Sequence, residues 1–147
     1  MCDNNGDLLF YNNSENVFDR NYNLMSNRGG VTGNAGTYAQ TLAIPKPGSN
    51  SIYYIFQEDY AAVNPNPGLF YSEVDMTLNG GFGDVTVNKN ISLNTGACSE
   101  QLKAIKHCNS QDIWVITHSM TGNPFFVFPI TSTGFQQNEA GSSTSGD

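Results

Sequence analysis

A self-similarity at a shift of 61 residues constrains this chain more than any other feature. Residues 43–56, AIPKPGSNSIYYIF, align without a gap on residues 104–117, AIKHCNSQDIWVIT. Ala43 meets Ala104, Ile44 meets Ile105, Ser49 meets Ser110, Ile52 meets Ile113 and Ile55 meets Ile116. Gln40 meets Gln101 in the flank, and Tyr53 lies opposite Trp114. Each copy is a strand, a polar turn and a second strand of aromatic and β-branched residues, the pattern of a β-hairpin. A third strand follows in both: GLFYSEVDMT after the loop AAVNPNP, and PFFVFPITST after TGN. The first copy adds a turn, LNGGFGD, and a fourth strand, VTVNKNISL; GDLLFYNN and NVFDRNYNLM open the chain as a partial earlier copy.

Four short antiparallel strands repeated in tandem are the grammar of a β-propeller blade. The period exceeds the ~40–45 residues of WD-type blades, so long loops are included. The chain therefore reads as all-β, with antiparallel four-stranded blades and about two and a half consecutive blades of a β-propeller. Residues 1–36 would end one blade, 37–95 form a complete blade, 96–135 most of a third, and 136–147 a polar inter-blade loop or tail. Ile44, Ile52, Ile55, Ile105, Ile113 and Ile116 are expected to be buried at equivalent positions of successive sheets. A blade buries its faces only against neighbours. The expected partners are thus the remaining blades of a larger parent protein, or further copies through self-association.

Composition narrows the function classes. Charged residues are 13% of the chain and aromatics 12%, and polarity comes from Asn, Ser, Thr, Gly and Gln, a profile common among extracellular β-proteins. The formal net charge is −7, with six Lys and Arg scattered along the chain. Nucleic acid is set aside as a partner, because binding it needs clustered cations that displace phosphate counterions. No segment approaches the ~20 apolar residues of a membrane helix. The first residues, MCDNNG, lack the basic start and apolar core of a signal peptide, so an export signal would lie upstream. Of three cysteines, Cys98 and Cys108 would close a short loop if bridged, but spacing alone does not bring their Cα atoms together. Buried or unpaired thiols are the expectation. Two N-x-S sequons, at Asn12 and Asn90, carry little weight in an Asn-rich chain.

Three runs, IPKPGSNSIYYIF (44–56), VDMTLNGGFGDV (74–85) and KHCNSQDIWVITH (106–118), resemble the propeller regions of large secreted surface proteins of gliding bacteria. Proteins of that family are associated with gliding motility and carry a C-terminal sorting domain for type IX secretion. The opening GDLLFYNNSENVFDRN and the closing GSSTSGD fit the same pattern. The resemblance implies a propeller segment exported to the cell surface, and it carries over no catalytic residue.

The candidate chemistry is sparse. His107, Cys108 and His118 are metal-ligand types, yet zinc wants more ligands in paired spacings. His107 and Cys108 are adjacent, and neighbours in a strand point to opposite faces. In DIWVITH, Asp112, Trp114, Ile116 and His118 share one face, and Ile113, Val115 and Thr117 the other. Asp112, Trp114, His107 and His118 are expected as structural residues, hydrogen-bonded in a buried network that pins strands, with Trp114 well buried between sheets. Asp75 is expected to cap a turn. Asp7, Asp19, Glu58, Asp59 and Asp84 read as turn positions, not the facing carboxylate pair that glycoside hydrolysis needs. No G-x-S-x-G elbow frames a nucleophile. NGGFGD (79–84) reads as a β-turn without a phosphate-binding helix, and Asp84 lacks the D-x-D-x-D-G calcium pattern. No catalytic residue, metal or cofactor is expected. The function expected is a binding or scaffold module for a protein or glycan ligand. Its rival is part of a carbohydrate-active enzyme or lectin whose site lies partly beyond these residues.

Overall fold

The computed structural model describes residues 1–27, 31, 41–59, 67–99, 101–122 and 124–135, with the backbone of 143–144. It is all-β. Strands β1 (Phe10–Asn12) and β2 (Val17–Asp19) form a small antiparallel N-terminal unit. Strands β3 (Thr41–Pro45), β4 (Ile52–Asp59), β5 (Gly68–Asp75) and β6 (Asp84–Val85) form an antiparallel sheet in that order, and β7 (Ile91–Ser92) pairs β5 beyond β6. Strands β8 (Lys103–Lys106), β9 (Ile113–His118), β10 (Pro124–Thr131) and β11 (Gly134–Phe135) repeat the order, and β12 (Ser143–Thr144) pairs β10 as β7 pairs β5. Aromatic and β-branched residues dominate β4 and β9, as pleated, half-buried surfaces favour. Among the described residues the only helical piece is a 3-10 turn at Asn79–Gly81. The run NGGFGD thus begins with that turn, and Gly80 supplies its left-handed backbone (φ 65°).

Ser143–Thr144, in the stretch read as loop or tail, pairs with β10 as a two-residue strand. Two expectations need correction here. The fourth strand of the first copy is two short pieces, not one continuous strand. The ungapped shift also fails at the hairpin turn. Ile44 pairs with Tyr54, and Ile105 pairs with Trp114. Strand β3 therefore maps onto β8 at 61 residues (44 to 105), but β4 maps onto β9 at 60 (54 to 114). Closing pairs Lys46–Ile52 and His107–Asp112 leave turns of 47–51 and 108–111, the second one residue shorter.

One residue matters because side chains alternate between the two faces of a sheet. The bond from Lys46 N to Ile52 O turns the backbones of Ile52, Tyr54 and Phe56 toward β3; His107 N to Asp112 O does the same for Asp112, Trp114 and Ile116 toward β8. With L-residues, the neighbour a backbone addresses determines the face its side chain takes. Tyr54 and Phe56 thus occupy in the first sheet the face that Trp114 and Ile116 occupy in the second. The buried core between the sheets holds Ile44, Tyr54, Phe56 and Leu69 from the first, but Val115, Phe128 and Ile130 from the second. The sheets meet through opposite faces, head to tail. The other face of the first sheet, with Tyr53, Ile55, Val74 and Val85, packs on Phe10, Val17, Met25 and Val31. A Cβ on Gly83, whose φ is +83°, would lie 2.7 Å from Met76 Sδ and 3.3 Å from Met25 Cε, so a side chain there would intrude on this contact.

The stack accounts for the isoleucines. Ile44 is covered by the second sheet and is 5% exposed, whereas its counterpart Ile105 is 54% exposed and not buried as expected, because no sheet among the described residues covers that face. Ile55 is buried against the N-terminal unit, while Ile52, Ile113 and Ile116 are half-buried. Within the described residues β1 and β2 pair with each other, not with β10, so the two ends of the stack are not joined.

Candidate functional site

The open face of the second sheet carries the most distinctive set of side chains. Lys103, Ile105 and His107 come from β8 and the turn after it; Asp112, Trp114, Ile116 and His118 come from β9 and the residue preceding it; Phe125 comes from β10. Both histidines of the chain pack on aromatic rings there. His107 lies 5.3 Å from Trp114, and His118 meets Phe125 edge-on at 4.7 Å between ring centroids. A shallow groove of about 440 Å³ runs across this face, lined by Gln101, Lys103, Ile105, Ile116, His118 and Phe125. It mixes apolar rings with one cation and an amide, which suits contact with another surface more than enclosure of a small molecule.

Trp114 therefore does not fill the buried junction expected for it; it is half-buried against His107 on the uncovered face. The face expected to hold an Asp, His and Trp network is the open one, and Val115 and Thr117 take the buried side. Asp112 serves its own turn instead: its Oδ2 accepts from Asn109 Nδ2 at 2.7 Å, and its N–H donates to Asn109 Oδ1 at 2.9 Å. His107 Nδ1 accepts from Asn109 N at 3.1 Å and lies 3.6 Å from Cys108 Sγ. The expectation that His107 and Cys108 point apart fails because the chain turns there, and strand alternation does not apply. Among the described residues no three His, Cys, Asp or Glu side chains group as a metal site.

Several acidic groups bond within the fold, some in their own turns and some across it. Asp75 Oδ1 accepts from Thr77 N and Oγ1, both at 2.8 Å. Asp19 Oδ1 accepts from Asn21 N and Asn23 N, and Asp84 Oδ1 from Asn27 N. Glu58 and Asp59 end strand β4, not a turn. Glu58 is buried, and its Oε1 accepts from Thr117 Oγ1 at 2.8 Å across the inter-sheet core. Nothing in the sequence signals this group, since its burial comes only from the second sheet lying over it. Nearby, Cys98 Sγ donates to Thr95 Oγ1 at 3.1 Å. Burial raises the Cys98 thiol pKa, and the Glu58 charge adds to the rise against opposing hydrogen bonds, so this thiol is poorly suited to act as a nucleophile. All three cysteines are free, Cys98 buried and Cys2 and Cys108 exposed. Comparison with protein-family models, curated proteins and solved structures gives no match.

Proposed function

We propose that this chain is a non-catalytic binding or scaffold segment of β-propeller type, made for stacking antiparallel sheets and for presenting a sheet face to another protein surface. The observation that carries the reading is the head-to-tail contact. The first sheet offers one face to the N-terminal unit and the opposite face to the second sheet, which receives it on the face carrying Val115, Phe128 and Ile130; propeller blades follow one another with the same polarity. The two buried cores draw on aromatic and aliphatic residues, while the acidic side chains cap turns or bond within the fold. A secreted, cell-surface setting of the gliding-associated kind is supported by the resemblance of residues 44–56, 74–85 and 106–118 and by the amide- and hydroxyl-rich composition.

The rival, a lectin or carbohydrate-active enzyme, draws on one observation: the groove sets Phe125 and His118 beside Gln101 and Lys103. Trp114, the single tryptophan, lies on the same face and reports on it. The test is to titrate the dilute chain with a panel of soluble polysaccharides, following Trp114 emission and the turnover of chromogenic glycosides. Unchanged emission and no turnover are expected. A saturable emission shift, or turnover lost in a Phe125→Ala variant, would move the assignment to the rival.

A further inference from the structure

The contact between the N-terminal unit and the first sheet ends in a small polar joint. Thr41 and Gln57 stand opposite each other on β3 and β4, on the face that carries Ala43 and Ile55 toward the N-terminal unit. They meet Asn12, the last residue of β1, and Ser14 just beyond it. Thr41 Oγ1 donates to Asn12 Oδ1 at 3.0 Å, and Gln57 Nε2 donates to the Ser14 carbonyl at 2.6 Å. Each amide thus uses one of its two ends. The other ends, Asn12 Nδ2 and Gln57 Oε1, are buried and have no hydrogen-bond partner among the described residues. Gln57 as a whole is 1% exposed. Native folds rarely leave such atoms unpaired, because each forfeits the bond it made with solvent in the unfolded chain. Turning the amides over does not mend this. A turned Gln57 would set its oxygen against the Ser14 carbonyl, and a turned Asn12 would donate to Thr41 and leave its oxygen unpaired instead.

We infer that one water molecule is bound at this joint, accepting from Asn12 Nδ2 and donating to Gln57 Oε1. Chemistry and size both point to water. A monovalent cation would satisfy Gln57 Oε1 but face the positive end of the Asn12 N–H dipole, and an anion would meet the reverse conflict. The hydroxyl of a sugar or alcohol has the right polarity, yet both orphan atoms are closed off from the surface, so no larger skeleton reaches them. The water adds a third polar link between the two units, and such a bridge is nearly as favourable in enthalpy as a direct hydrogen bond. Apolar contacts such as those of Phe10, Val17 and Ile55 are non-directional, whereas these links have fixed partners. They therefore hold the register in which the N-terminal unit seats on the first sheet.

Nuclear magnetic resonance of the labelled full chain tests the inference, and its outcome is independent of the scaffold reading. In the native chain the Asn12 Nδ2 protons should show rotating-frame cross-relaxation with water, of the sign that marks a bound molecule and not proton exchange. Water-oxygen relaxation dispersion counts such long-lived waters. The count should fall by one in Gln57→Leu, by one in Asn12→Leu, and by one and not two in the double variant, because both side chains hold the same molecule and a buried water needs at least two polar partners. A cooperative urea transition establishes that each variant keeps the fold; where one does not, the cross-relaxation in the native chain decides alone. No cross-relaxation at Asn12, or a count unchanged by either substitution, would overturn the inference. A loss of two in the double variant would also overturn it, since separate waters would then serve the two atoms. So would a native urea midpoint that shifts when sodium chloride is replaced by choline chloride at equal ionic strength, if Gln57→Leu abolishes that shift, because a cation would then occupy the joint.

Discussion

The polarity of the stack can be read from two phenylalanines three residues apart on β10. Phe128 is 4% exposed in the inter-sheet core, with its ring 5.6 Å from Phe135; Phe125 is 40% exposed on the outer face. Phe128→Ala forfeits the transfer energy of a whole ring and leaves a cavity between two sheets, costing about 3–5 kcal/mol. Against a total stability of ~5–15 kcal/mol, that is a large share. Phe125→Ala forfeits only the covered part of the same ring, and water fills the space, so its cost is about 1–2 kcal/mol. Urea unfolding followed by far-ultraviolet circular dichroism, at concentrations low enough to hold the monomer, measures both. Equal costs, or a larger cost at Phe125, would mean that the second sheet is turned over relative to this description.

Burial raises the Tyr54 pKa to about 12, with Glu73 and Tyr71 adding to the rise, and burial likewise raises Tyr53 and Tyr71. The fold therefore favours the neutral phenol. For Tyr54 that stability is complete below pH 10 and is lost as pH rises from 10 through 12, with a slope approaching 1.4 kcal/mol per pH unit; Tyr53 and Tyr71 act in the same direction. Tyr54→Phe should flatten this alkaline loss in urea midpoints measured from pH 9 to 12; an unchanged slope would contradict the assignment. Thr117→Val removes the hydroxyl that donates to buried Glu58 and should cost about 1–3 kcal/mol at neutral pH. A neutral result in thermal unfolding would mean that the bond contributes nothing net. A thiol-specific chromogenic reagent should titrate two cysteines rapidly in the native chain, Cys2 and Cys108, and Cys98 only after denaturation. Three equally fast thiols would show that the Cys98 end of the core is open.

Much of this molecule was legible in its residues because β-structure writes itself locally. Aromatic and β-branched runs such as IYYIF and DIWVI, bounded by Gly, Asn and Pro turns, identify strands whatever lies around them. Two copies of that pattern in one chain suffice to place the hairpins and their third strands, and Asp75 beside Thr77 is read as a turn cap from its neighbours alone. The covered face of the second sheet was not legible. Both faces of β9 are apolar, Trp114 and Ile116 on one side and Ile113 and Val115 on the other, so period-two alternation offers no choice between them. The choice lay in the turn. Residues 108–111 are one fewer than 47–51, and that single residue inverts the correspondence between β4 and β9. Trp114 consequently goes to the open face and Val115 to the core, and Ile105, matched to buried Ile44 in sequence, stays in solvent. The buried Glu58 and its bond to Thr117, 59 positions away, exist only once the two sheets are laid together. Strand identity is a property of neighbouring residues; which face is buried is a property of what is packed against it.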